Sequence, residues 1–407
     1  MRILLLTQWF QPEPNFKGIQ FAKALTDCGH EVEVLTGFPN YPGGRLYPGY
    51  KVRPWQKEVI DGIRVIRVAL YPSHDRSGLR RLLNYSSFGL SSAILGPFLI
   101  HKPDVIYVYN LVTLGFASTL LKILNRCKCL YDIQDLWPDS VTASGMLPKS
   151  ASSMLDKFSN AVYRKADHIA VLSPGMKATL VDRGLAPDDI DVIYNWCDEG
   201  AIQFTSEEVQ AVKEELGFNG HFNVVFAGTM GKMQALDTVI DAASLLKRKL
   251  PHVKFTLIGG GIEADHLKMK VSELGLQNVQ ILPRRPVSEI GAVLQATDVL
   301  LVHLKDDPLF RITIPSKIQA YLYAGKPIIV GVEGDASQLV VNANAGIPCK
   351  PEDSRSVADV VERFACMDQK TLDDMGAMGR SFYDKELSFA AGVSKFDKLF
   401  RSLMCNN

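Results

Sequence analysis

Short apolar runs of strand length recur along this chain between longer segments of helical period, and they do so in two successive sets. A parallel sheet covered by helices on both faces demands that pattern, because each strand is buried on both sides and each crossover must carry a helix. The first set predicts strands at 3–6, 31–35, 63–68, 105–109, 129–133 and 169–172. The second predicts them at 223–227, 254–258, 279–282, 299–303, 327–331 and 346–349. The expected fold class is therefore α/β, with two Rossmann-like domains in series whose parallel sheets face a central cleft. A chain of 407 residues has enough length for two cores.

The joint is expected in the polar, turn-rich stretch 195–219, where Asp198-Glu199-Gly200 and Asn219-Gly220 break the apolar periodicity. An N-terminal domain over 1–198 and a C-terminal domain over 199–385 follow. The last segment, 386–407, carries Val393, Phe396, Leu399, Phe400 and Leu403 at helical spacing and is expected to cross back onto the first domain.

Charge and cysteine usage exclude other classes. Lysine plus arginine number 45 against 44 acidic residues, so no basic surplus points to nucleic acid. The seven cysteines form no CxxC pair and no zinc spacing, which reads as reduced, mostly core thiols, with no metal expected. The opening run Ile3-Leu4-Leu5-Leu6 is too short for a signal sequence and reads as a first strand of a cytoplasmic protein. Neither a GxGxxG fingerprint after that strand nor a GxxxxGK[ST] loop is present, which puts nicotinamide enzymes and P-loop ATPases far behind.

Ligands of open α/β sheets bind beyond the carboxyl ends of the strands, so the loops there are the places to look for chemistry. Gly228-Thr229-Met230-Gly231-Lys232 follows a strand and precedes a helix, a setting that suits a diphosphate; the same residues also make a plain glycine turn with a surface lysine. Gly259-Gly260-Gly261 permits close approach of a base or a phosphate, or simply a tight turn. Arg311 and Lys317 flank another helix start, as a clamp for a leaving pyrophosphate or as two solvated cations. Between Arg76 and His101, the cations Arg76, Arg80 and Arg81 precede Leu82, Leu83, Phe88, Leu90, Ile94, Leu95, Phe98, Leu99 and Ile100. The run falls short of the roughly 20 residues needed to span a bilayer, which leaves an interfacial helix or a packed core helix.

Several ordered segments together resemble the GT-B glycosyltransferases of family 4, and within them the bacterial N-acetyl-L-fucosamine transferase group (WbuB-type). They are Gly29-His30-Glu31-Val32 leading to Leu35-Thr36-Gly37-Phe38-Pro39-Asn40-Tyr41-Pro42-Gly43, Asp135-Leu136-Trp137-Pro138-Asp139, Leu172-Ser173-Pro174-Gly175, Tyr194-Asn195-Trp196-Cys197-Asp198, 228–234 and 314–327. The resemblance implies a UDP-sugar held by the C-terminal domain and an acceptor, a polyprenyl-diphosphate-linked saccharide, held by the N-terminal one. It also implies retention of anomeric configuration without a metal or cofactor, and a location peripheral to the inner face of the cell membrane. Carried over position by position, Gly228 to Lys232, Gln234, Arg311 and Lys317 surround the diphosphate, with Ile314, Pro315 and Ser316 beside them. Gly259, Gly260 and Arg284 fall near the nucleotide, the last near the base. Gly18, Gln134 and Trp137 fall on the acceptor side, with Asp135 as the group that orients or deprotonates the acceptor hydroxyl, or else as a turn cap.

The chain departs from the family pattern in several places. The Glu-x7-Glu pair reads Ile312 and Ala320, the phosphate-binding arginine and lysine read Thr229 and Gln234, and the histidine that many relatives carry at the strand end matched by Gln134 and Asp135 is absent. Lys232, Arg311 and Lys317 are therefore expected to converge on the pyrophosphate in its place. The alternatives are a non-catalytic nucleotide-sugar-binding scaffold and a UDP-sugar 2-epimerase. A glycosidase using a carboxylate pair drawn from Glu13, Asp135 and Asp139 also stays open.

Overall fold

The computed structural model describes residues 1–73, 78–139 and 152–405. The chain divides into two compact units, one of residues 1–172, 176–193 and 393–407, the other of 173–175 and 194–392. The division falls at Ile193, ahead of the polar stretch expected to hold it. That stretch instead carries the helix Ser206–Glu215, opened by a capping box in which the Thr205 hydroxyl and the Glu208 carboxylate each satisfy the other's backbone N–H.

The first unit is an eight-stranded sheet. Its strands are β1 (Arg2–Leu6), β2 (Glu31–Gly37), β3 (Trp55–Ile60), β4 (Ile63–Val68), β5 (Val105–Tyr109), β6 (Lys128–Ile133), β7 (His168–Val171) and β8 (Ile190–Val192), in the order β3-β4-β2-β1-β5-β6-β7-β8. All pairs are parallel except β3–β4, a hairpin closed by Asp61-Gly62, both at positive φ, as a two-residue turn needs. The helix Phe389–Cys405 contributes to this unit from Val393 onward: Phe396 packs edge-on against Phe21 and Tyr107, and His30 pairs with Asp397 at 2.6 Å.

The second unit has six parallel strands, β9 (Phe222–Thr229), β10 (Val253–Gly260), β11 (Val279–Leu282), β12 (Val299–His303), β13 (Ile328–Gly331) and β14 (Gly346–Pro348), in the order β11-β10-β9-β12-β13-β14. The strand order reverses between β9 and β12, so the carboxyl ends of those strands mark the crevice where a ligand belongs. Val224, Phe226, Val239, Phe255, Leu301 and Phe364, all essentially inaccessible, form part of the core under that end. Among the described residues no helix is long and apolar enough to cross a membrane.

Candidate active site

At the carboxyl ends of β9 and β10 the two glycine loops lie side by side. Gly259 pairs in register with Gly228, and a β-carbon on Gly259 would sit 1.8 Å from the Gly228 carbonyl oxygen. Both residues have φ near +150°, a region L-residues rarely enter, so sterics and backbone conformation alike fix glycine there. A cavity of about 630 Å³ opens beside this edge, within the size range of nucleotide and cofactor sites.

Eight of the residues picked out by sequence line this cavity: Gly228, Thr229, Gln234, Gly259, Arg284, Pro315, Ser316 and Lys317. Lys317 begins the two-turn helix Lys317–Tyr323, and its ammonium lies 3.8 Å from the centre of the Phe226 ring. Among the described residues no carboxylate pairs with it. Burial without a counter-charge pushes its pKa down to about 7, so near neutrality this lysine exchanges its proton readily. Arg285 joins Arg284 on the wall, while Val287, Ile290, Leu294 and Leu304 supply an apolar side. A lining that combines cations with apolar side chains suits a ligand that joins an anion to a flat apolar group.

The expected convergence of three cations needs correction. Lys232 and Arg311 do not line the cavity. Arg311 is held by Asp306 at 2.8 Å and by Glu333 at 3.4 Å, and Lys232 is exposed on a 3-10 turn. The cations on the wall are Lys317, Arg284 and Arg285, the last of them held by Glu215 as Arg311 is by Asp306. Two backbone amides of the first loop are engaged within the protein, since Met230 N–H donates to Gly260 O at 2.9 Å and Gly231 N–H to the Gln234 side chain at 2.9 Å. Met230 itself is a buried core residue, and neither Gly231, Gly260 nor Ile314 lines the cavity.

Residues that the sequence did not single out hold the loops in place. The Tyr321 hydroxyl, one turn beyond Lys317, bonds both the amide and the carbonyl of Ala227. His303, at the end of β12, is fully buried; its Nε2 accepts from the Glu352 amide, which leaves Nδ1–H to donate to the Gln234 carbonyl at 2.8 Å. Desolvation lowers its pKa, so the ring stays neutral and in that tautomer. The Gln319 amide, turned to donate, reaches the carbonyls of Ser316 and Pro315 at 2.9 and 3.0 Å. Tyr321 was findable, since i+4 from Lys317 is the same helix face; His303 acts across 69 residues of sequence and leaves no local signal.

In the first unit Gly18 caps the helix Ile19–Asp27, where the Gln11 side chain accepts from Ile19 N–H at 2.9 Å. Gln134 donates to Asp132 at 2.7 Å. Asp135 follows β6 as an exposed residue whose carboxylate accepts from the Asn110 side-chain amide at 3.3 Å, and desolvation raises its pKa. Trp137 is buried and its carbonyl accepts from Arg183, so this indole belongs to the core rather than to an acceptor platform. A glycosidase pair is disfavoured on the same grounds: Glu13 is buried and accepts three backbone N–H groups, from Phe10, Asn40 and Tyr41, while Asp139 is paired with Arg183.

Asp237, Glu263 and His266 bring ligand-type atoms within 4.8 Å of one another, but His266 and Lys270 already pair with Asp237, and none of the three lines the cavity.

Comparison with known proteins accounts for this architecture. A family model described as Glycosyl transferase 4-like domain matches residues 20–196, and one described as Glycosyl transferases group 1 matches 209–382. WcaI of Escherichia coli (strain K12), named "Putative colanic acid biosynthesis glycosyl transferase", is 26% identical over 82% of this chain and 84% of its own. "Probable glycosyltransferase WbjE" of Pseudomonas aeruginosa is 25% identical over 72% of this chain and 73% of its own. Among solved structures, Anabaena HepE in complex with UDP superposes with a TM-score of 0.71 at 16% identity, covering 99% of this chain and 100% of that one. A glycosyltransferase from Rickettsia africae gives 0.73 at 15%, covering both chains fully. Matched domain by domain along most of its length, the chain belongs to the GT-B glycosyltransferases of the family 4 and group 1 type, and it is a nucleotide-sugar-dependent transferase.

Proposed function

We propose that this chain is a retaining glycosyltransferase of the WbuB-type group, moving an N-acetylated 6-deoxyhexosamine such as N-acetyl-L-fucosamine from UDP to a polyprenyl-diphosphate-linked saccharide in bacterial O-antigen or capsule synthesis. The observation that carries the reading is the cavity of the second unit, where Lys317, Arg284 and Arg285 share a wall with an apolar side formed by Val287, Ile290 and Leu294. Its relatives with polysaccharide names and the UDP complex of HepE support the substrate class. Catalysis is leaving-group stabilisation. As the sugar C1–O bond to the diphosphate breaks, the cations take up the developing charge, and the acceptor oxygen bonds C1 on the same face. The acceptor proton passes to the departing phosphate, with Asp135 orienting the hydroxyl. No enzyme nucleophile and no metal enters this scheme.

A panel of nucleotide sugars offered with a short-chain lipid-diphosphate acceptor tests the reading. Product of unchanged anomeric configuration and stoichiometric nucleotide release are expected. An inverted product refutes retention, donor conversion without acceptor favours an epimerase, and donor binding without turnover favours a scaffold.

The first unit also carries a surface that suits a lipid-linked acceptor. The helix Gly78–Leu99 buries one face and turns Leu79, Leu83, Leu90, Ile94 and Phe98 outward, the last 84% exposed. Its neighbour Gly115–Asn125 exposes Phe116, Ile123 and Leu124. Gly89 of the first helix packs on the 3-10 turn Val112–Leu114 that leads into the second, where a β-carbon would sit 2.6 Å from the Thr113 carbonyl oxygen. Of the cations expected beside this run, Arg76 lies outside the described residues, while Arg80 and Arg81 stand at the start of the helix. We read this apolar face with its arginine flank as an interfacial membrane contact. Each basic residue near an anionic surface contributes about 1 kcal/mol, so Arg80→Glu with Arg81→Glu is expected to weaken co-sedimentation with anionic vesicles by at least about tenfold. Undiminished sedimentation overturns the membrane contact.

A further inference from the structure

We infer that the cavity of the second unit does not read the ribose 2′-hydroxyl, so that a 2′-deoxyribonucleoside diphosphate binds nearly as well as its ribo counterpart. The inference rests on the proposed reading of this cavity as a nucleotide-sugar site. Dinucleotide sites of doubly wound α/β folds read the ribose with an acidic side chain that accepts from the 2′-hydroxyl. Strong rejection of the deoxy analogue arises when that buried acceptor is left without its partner.

Nothing of that kind lines this wall. Among the described residues around the cavity none is a carboxylate, and every charged one is a cation. Glu215, which approaches from outside the cavity, is held by both guanidinium nitrogens of Arg285. The neutral side-chain acceptors are also largely spoken for. The Tyr321 hydroxyl is occupied by Ala227, and the Gln234 side-chain oxygen by the Gly231 amide at 2.9 Å. The hydroxyls of Thr229 and Ser316 remain, both on solvent-exposed residues, where a bond to a sugar hydroxyl merely replaces one to water. On the turn after Lys317 the wall is the methyl group of Ala320, which accepts nothing. Affinity therefore resides in the diphosphate, met by the two lining cations that no carboxylate among the described residues holds, Lys317 and Arg284, and in the base, met by an apolar wall.

Isothermal titration of the full chain with UDP and with 2′-deoxyuridine 5′-diphosphate tests this. Dissociation constants within about fivefold of each other support the inference. A deoxy form weaker by more than that overturns it while leaving the nucleotide reading intact. Failure of both ligands to bind overturns the nucleotide reading, and the inference with it.

Discussion

Replacing Lys317 by methionine is expected to lower kcat/KM for the nucleotide sugar by a factor of about 10² to 10³, the usual consequence of removing one preorganised group that stabilises leaving-group charge. Methionine preserves the contact with the Phe226 ring, so the loss is electrostatic rather than one of packing. The ligand-free protein should at the same time lose no stability, because the half-buried ammonium it gives up has no counter-charge among the described residues. The pH dependence has a definite sign. In the free protein the lysine pKa is lowered to about 7, so above that pH this side chain is mostly neutral. A bound diphosphate favours the charged form and restores the proton. Calorimetry of UDP binding in buffers of different ionisation enthalpy should therefore show uptake of close to one proton at about pH 8, where the terminal phosphate of UDP is already ionised, with affinity falling as pH rises above about 7. In the methionine variant the uptake disappears. The same depressed pKa means that the unfolded chain holds a proton the folded one has released between about 7 and the ordinary 10.5, so this group adds stability as pH climbs through that window. Binding of UDP by the unsubstituted protein with no proton uptake would show that Lys317 does not meet the diphosphate.

Much of this architecture was legible because buried parallel strands announce themselves as short apolar runs. Twelve strands were expected and all twelve exist, with bounds shifted by a residue or two. The two that escaped have physical excuses: β3 is an edge strand that reads Trp-Gln-Lys-Glu-Val-Ile with every second side chain exposed, and β8 is three residues long. The helix Ser206–Glu215 buries none of its residues, so periodicity could not reveal it; the Thr205-x-x-Glu208 cap was its only mark. In the site, loop glycines and the Pro315-Ser316-Lys317 turn were visible as local motifs. The fate of Arg311 was not, because its two acidic partners stand 5 residues before it and, at Glu333, beyond the next strand. Sequence places a cation beside a loop, but the competing carboxylates decide whether its charge is free for a ligand.

The second large effect concerns the first unit, where Lys17 and Asp132 form an ion pair with side-chain exposures of 0% and 1%. Asp132 also accepts from the Tyr107 hydroxyl and, at 2.7 Å, from Gln134, and the lysine ammonium lies 4.6 Å from the Phe396 ring centre in the C-terminal helix. Such a pair gives little net stability, since desolvating two ions offsets their attraction, but breaking it strands a charge. Asp132→Ala is accordingly expected to cost about 3 to 5 kcal/mol, whereas Lys17→Met combined with Asp132→Asn, which keeps partners for Tyr107 and Gln134, should stay within about 1 to 2 kcal/mol of the unsubstituted protein. A chain of two units need not unfold in one step, so the measurement is hydrogen exchange read at the amides of β1, β5 and β6. Burial already lowers the Lys17 pKa, and loss of Asp132 lowers it further. The single variant should therefore regain part of its stability as pH rises, because its folded state sheds the stranded proton that its unfolded state keeps. If the double variant proves as unstable as the single one, the pair was stabilising in its own right, and the position of Gln134 beside Asp135 would depend on that charge rather than on the hydrogen bonds alone.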